Sequence, residues 1–182
     1  MRWAGGFLSI ALLCSCTQTT IEGSADRESR SRTLTHIVTY ISGPTSISNE
    51  AQVSLTAQAA KHGVILDNAF YIFPPTHAYS DQEIKRGLAS RGVDGVLLVR
   101  MGNARVTKEY AGTLFSSLEQ VSTRGDSNFA AKLIEPSTGQ LLWVGEGKVT
   151  ESGLVIVGNR SGPMSVAVAI LDELQTKGLL RN

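Results

Sequence analysis

The stretch VDGVLLV, residues 93–99, is apolar at nearly every position. A strand with one wet face alternates, so an unbroken apolar run of this length reads as a strand covered on both faces, as central parallel strands are. Its neighbours supply the helices that such cover requires. Before it, Ser80, Asp81, Gln82 and Glu83 form a capping box, in which the serine oxygen and the glutamate satisfy orphan amides at a helix start. The helix over residues 81–91 buries Ile84 and Leu88 and stops at Gly92. Residues 64–73 read as a strand ended by Pro74 and Pro75, and residues 48–62 as a helix with Ile47, Ala51, Leu55 and Ala59 recurring every four positions. Residues 35–41 are β-branched and bounded by Ser42, Gly43 and Pro44, which makes them the first strand.

After residue 99 the pattern changes. Residues 105–111, 127–135 and 140–150 read as three strands, the last two joined by the turn PSTG at 136–139. A closing helix over residues 163–177 carries Met164, Ala167, Val168, Leu171 and Leu174 on one stripe and stops at Gly178. Trp143 reads as a core residue between the sheet and this helix. The order β-α-β-α-β-β-β-β-α predicts an α/β fold, a three-layer sandwich with a mixed sheet. If the first strand lies between the second and third, right-handed crossovers send the two helices to opposite faces.

The chain has 182 residues and a formal net charge of +1, with 17 Lys and Arg against 16 Asp and Glu. No cluster of basic residues marks a nucleic-acid partner. Both cysteines, Cys14 and Cys16, follow a positive start and about ten apolar residues, the layout of a secretory signal and well short of the ~20 residues that span a bilayer. His36, His62 and His77 are scattered singly, so no metal site and no cofactor is expected. A disulfide between residues two apart would close a strained ring. Residues 17–33 are polar and mixed in charge, which predicts a flexible tether holding the domain some 20–25 Å from its start.

Leu13, Cys14, Ser15 and Cys16 resemble the lipobox of bacterial lipoproteins, with Cys14 departing from the usual residue at that place. The resemblance implies a signal peptide at 1–15, acylation of Cys16 with palmitate-like chains, a lipidated tether at 16–33 and a single domain at 34–182. Thr17, where an aspartate would retain such a protein at the inner membrane, implies the outer membrane, facing the periplasm, or the cell membrane if there is no outer one. The alternative is an ordinary cleaved signal and a soluble product. RGVDGVLLV and then AAKLIEPSTGQLLWVGEG before a closing helix resemble the anticodon-binding-like domain of envelope proteins. Members include the Tol translocation protein's amino-terminal domain, the curli-secretion pore lipoprotein and the lipoprotein activators of penicillin-binding proteins. Over residues 34–180 this resemblance implies a non-enzymatic scaffold that recognises an envelope protein or assembles with itself.

Ligands of open α/β sheets favour the crevice at the carboxyl ends of strands where the order reverses. Ser42, Gly43, Thr45, Arg100 and Asn103 line it on the expected topology, and would suit a small anionic or glycan ligand; the alternative is a plain turn beside a solvated arginine. Leu114, Phe115, Leu118 and Val121 fall at helical spacing and could face a partner protein or their own domain. No enzyme is expected. No G-x-S-x-G motif occurs, GEGKVT lacks the spacing of a phosphate loop, and His77 near Tyr79 and Asp81 is a lone loop histidine.

Overall fold

A computed structural model describes residues 16–26, 32–102, 105–111, 120–153 and 161–181. It is a three-layer α/β sandwich around one mixed sheet. The strands are β1 (Cys16–Ala25), β2 (His36–Ser42), β3 (Ile65–Asn68), β4 (Gly95–Met101), β5 (Arg105–Ala111), β6 (Gln120–Ile134) and β7 (Leu141–Gly153). The helices are α1 (Thr45–Lys61), α2 (Ala69–Ile72), α3 (Asp81–Ala89) and α4 (Ser161–Thr176). The sheet order is β1-β7-β6-β4-β2-β3, with β5 also paired to β6. β2 is parallel to both β3 and β4, so the first parallel strand does lie between the other two. The remaining pairs are antiparallel.

One face of the sheet carries the larger core. Ile37, Leu97, Val99 and Leu133 meet Leu55 and Ala59 of α1 and Val166, Ile170, Leu171 and Leu174 of α4. Trp143 is buried among them, as its place between sheet and closing helix requires. Gly147 makes room for this layer: a Cβ there would collide with the Phe129 ring and the Thr20 carbonyl oxygen. The opposite face has a smaller cluster, Val38, Leu88 and Val93, with Ile72, Phe73, Ile84 and Val96 packed against it. α3 begins with the expected capping box between Ser80 and Glu83.

Three expectations need correction. Residues 16–25 are a sheet strand rather than part of a tether, paired over their whole length with β7. Their alternation explains it: Thr19, Ile21, Gly23 and Ala25 turn toward α4 and Trp143, and Thr19 Oγ1 donates to Ser165 Oγ at 2.6 Å. Threonine suits a pleated surface, and backbone pairing holds a strand that has little apolar area of its own. The second parallel strand ends at Asn68, whose side chain accepts from Phe70 N at 2.8 Å and starts the single turn of α2. That helix turn replaces the rest of the strand expected at 64–73.

β4 and β5 form one lane along β6. Met101 stands opposite Phe129 and Arg105 opposite Asp126. Finally, Val121 lies in β6 opposite Tyr110, not on a helix. Leu114, Phe115 and Leu118 lie outside the described residues, as does Asn103.

Candidate functional site: an open sheet face

α2 and α3 cover β2, β3 and part of β4. Among the described residues nothing covers the same face of β6, β7 and β1, so the middle of that face is open. Strand register builds it in rows. Ser42, Arg100, Ala130, Glu146 and Glu22 stand side by side across five strands. Tyr40, Leu98, Lys132, Val144 and Ser24 form the adjacent row. Because side chains alternate along a strand, both rows point away from α1 and α4.

Two connected hollows lie on this surface. A wide trough of about 830 Å³ runs past Glu22, Arg100, Asn128, Glu146 and Lys148. A second of about 410 Å³ shares Arg100 and Glu146 and adds Tyr40, Ser42 and Lys132. Tyr40 and Leu98 also border an apolar cleft of about 260 Å³ under α2 and α3, lined by Phe70, Phe73 and Ile84. Tyr40 and Phe70 rings lie 5.4 Å apart and are 42% and 44% exposed. The result is an aromatic, apolar end that grades into a charged floor.

The charges on that floor are largely uncommitted. Lys148 Nζ lies 3.3 Å from Asp126, which also accepts from Thr150 Oγ1 at 3.0 Å. Glu22, Arg100, Lys132 and Glu146 have no hydrogen bond or ion pair among the described residues. Unpaired charges of both signs on a flat strand surface can meet a complementary polar surface, and electrostatic matching of this kind sets specificity more than affinity.

The expected strand-end site is partly assembled. Ser42 and Arg100 are cross-strand neighbours and share a hollow. Gly43 does not face it: its φ is +141°, and a Cβ there would fall 2.7 Å from the Met101 carbonyl oxygen, so its role is close packing. Thr45 opens α1 with its hydroxyl exposed and lines neither hollow. Sequence reasoning missed Tyr40, Lys132, Glu146 and Glu22. Lys132 amid apolar neighbours and the alternation of Glu146 and Lys148 are the available signals, but they do not say whether a helix covers the polar side.

The titratable groups elsewhere are structural. Burial would raise the Asp94 pKa, yet its Oδ2 accepts from Thr35 N at 2.8 Å, Thr35 Oγ1 at 2.7 Å and His36 N at 3.0 Å. These bonds win, and the carboxyl is held below its ordinary value. His36 lies between Asp67 Oδ2 at 2.9 Å and the Arg91 carbonyl at 3.1 Å, tying the starts of the parallel strands together. His77 lies in an exposed loop, its ring tilted against Tyr79 at 3.9 Å, with the Thr76 hydroxyl 3.5 Å from its Nδ1. No cluster of three metal-ligating side chains occurs among the described residues.

No protein-family model matches the sequence, and no curated protein matches it by sequence. Solved structures do match by fold. The PelC dodecamer from Paraburkholderia phytofirmans aligns with 93% of this chain and 100% of its own, at 17% identity and a TM-score of 0.51. Lipoprotein GNA1162 from Neisseria meningitidis aligns with 78% of this chain and 99% of its own, at 13% identity and a TM-score of 0.46. A neuraminyllactose-binding hemagglutinin homolog from Helicobacter pylori covers 82% and 86%, at 16% identity and a TM-score of 0.44. At these identities the likeness is one of fold.

Proposed function

We propose that this chain is a non-enzymatic envelope lipoprotein, acylated at Cys16 and held on the outer membrane facing the periplasm, whose open sheet face recognises a protein. The partner is another envelope protein or further copies of the chain. The observation that carries this reading is the exposed row of Arg100, Glu146 and Glu22, with Lys132 in the row beside it, next to the half-exposed Tyr40 and Phe70. A charged rim around aromatic anchors is the composition of a protein interface. The lipobox supports the address, and the dodecameric assembly of PelC, which shares the fold, supports self-association.

Two measurements test it together. Mass spectrometry of the mature amino terminus is expected to find an acylated Cys16 and no residue before it. Photo-crosslinkers placed at Tyr40 and Lys132 are expected to trap one specific envelope protein, whereas one at Val53, exposed on α1, traps none. Equal crosslinking from all three positions would refute the face assignment.

A second reading rests on Ser42 and Arg100 sharing the 410 Å³ hollow: capture of a small anionic or glycan ligand there. Ligand-induced thermal shifts that vanish in Arg100→Ala would favour it over the protein partner.

A further inference from the structure

The charges left unpaired on the open face are not scattered. Strand register sets Glu22 directly beside Glu146 on the neighbouring strand, and neither carboxylate meets a cation among the described residues. Like charges side by side on adjacent strands destabilise a sheet. The cations stand on the other half of the face. Arg100 lies in the same row, two strands from Glu146 with only Ala130 between them, and Lys132 lies in the adjacent row on the strand of Ala130. From β4 to β1 the row is therefore positive, small, negative, negative. Laid against its own reverse, that order brings opposite charges together.

We propose that two copies of the chain stack open face to open face, about a two-fold axis that runs along the strands between β6 and β7. This rests on the reading of that face as a protein-recognition surface and commits its partner to a second copy. The axis sets β4 of one copy over β1 of the other and β6 over β7, each residue at the level of its own row. Arg100 then faces Glu22 of the second copy. Ala130 is small and leaves room for Glu146 of the second copy, which Lys132 reaches from the adjacent row. Both carboxylates gain a cation, and the symmetry repeats each contact. A two-fold axis across the strands through this row would instead lay Arg100 on Arg100 and Glu22 on Glu22, so charge decides between the two stackings. Sheets packed face to face lie ~10 Å apart with their strands within about 30° of each other, a gap that opposing Arg, Lys and Glu side chains span. The shapes agree as well. β1 ends at Ala25, short of the level of Val96, where β4 joins the apolar cluster under α3, so β1 of the second copy stops where the helix cover begins. The half-exposed Tyr40, one strand beyond Arg100, then flanks that strand. Because the axis follows the strands, both Cys16 residues come to the same end of the stack, as two anchors in one leaflet require.

Charge reversal between two differently tagged copies of the full-length chain, co-expressed and solubilised from membranes in mild detergent, tests this. Wild-type copies are expected to co-purify. When both copies carry Arg100→Glu, or both carry Glu22→Arg, co-purification is expected to fall at least ~10-fold, because each change sets like charges face to face. One copy with Arg100→Glu and one with Glu22→Arg present opposite charges at both contacts, and co-purification is expected to return, which also shows that each variant is folded. Lys61→Glu, exposed on α1 behind the sheet, is expected to change nothing. If the mixed pair co-purifies no better than either variant with itself, although circular dichroism shows both folded, or if Arg100→Glu in both copies has no effect, the stacking is overturned. If wild-type copies do not co-purify while the crosslinkers at Tyr40 and Lys132 trap a different protein, the second copy is overturned as the partner and the reading of the face survives. If those crosslinkers trap nothing that the one at Val53 does not, the reading of the face has itself failed.

Discussion

Replacing Gly147 with alanine tests how the edge strand β1 is held. Gly147 pairs with Ile21 of β1 and with Phe129 of β6. An added Cβ would lie within 3.0 Å of both the Phe129 ring and the Thr20 carbonyl oxygen. The ring is 3% exposed and the carbonyl belongs to the backbone, so neither yields without disturbing packing. Overpacking a tight site costs about 1–3 kcal/mol. For a domain of this size each kcal/mol moves Tm by about 2–4 °C, so the expected loss is about 2–12 °C. The damage should fall on β1 first, because that edge strand is held from one side only. Calorimetry gives the Tm, and amide exchange gives the site of opening: β1 amides should exchange faster in Gly147→Ala while those of β2 and β4 change little. Ser24→Ala, on the open side of the same strand, serves as the control. An unchanged Tm with β1 as protected as before would refute the claim that Gly147 is the seat of that strand.

Leu171→Ala removes a fully buried side chain between α4 and the sheet and is expected to cost about 2–5 kcal/mol, read from urea unfolding. Asp94 is held below its ordinary pKa in the folded state, so its bonds to Thr35 and His36 stabilise the fold above the unfolded carboxylate pKa and lose that effect as pH falls through the lowered folded value. Wild type and Asp94→Asn should therefore differ in urea midpoint at neutral pH and converge in acid, and a constant gap would show that ionisation of Asp94 is irrelevant. Arg100→Ala combined with Lys132→Ala should leave stability within about 0.5 kcal/mol of wild type while abolishing partner crosslinking at Tyr40. Loss of both together would mean that the charges support the fold.

Half of this architecture is written locally. The capping box at Ser80–Glu83, the stop glycines Gly63 and Gly92, with φ of +68° and +66°, and the four-residue spacing of Ala51, Leu55 and Ala59 all act within a few residues. So does the apolar run at 93–99, although its strand is fully covered on one face only, Leu98 bordering the open part of the other. What escaped reading depends on partners distant in sequence. β1 is polar and threonine-rich, and only its pairing with β7, more than a hundred residues away, makes it a strand. At Asn68 the competing signals were local: the apolar run after it suits a strand or a helix turn, and the asparagine cap decides for the turn. The candidate site was half legible. Ser42 and Arg100 follow from the reversal of strand order, whereas Lys132, Glu146 and Glu22 join them because no helix among the described residues covers that half of the sheet.

The acylation proposed for Cys16, on an edge strand, would also restrict how copies of the chain can associate in one leaflet. Two identical strand edges pair in a continuous sheet only in antiparallel fashion. A β1–β1 pair would therefore put the two Cys16 residues at opposite ends of a ten-residue strand, roughly 33 Å apart along it and facing opposite ways. Both could not be acylated into the same leaflet. A rotation axis normal to the membrane keeps every anchor at one level, and the sheet permits it, because β1 and the far edge strand β3 run in opposite directions and can pair head to tail between copies. Thr20 lies at the middle of β1, where a β1–β1 pair would bring two copies together. A Thr20→Cys disulfide is thus expected to be absent from acylated protein in membranes, even under oxidising conditions. Its efficient formation there would show that β1 does not keep the anchor at the membrane end of the sheet.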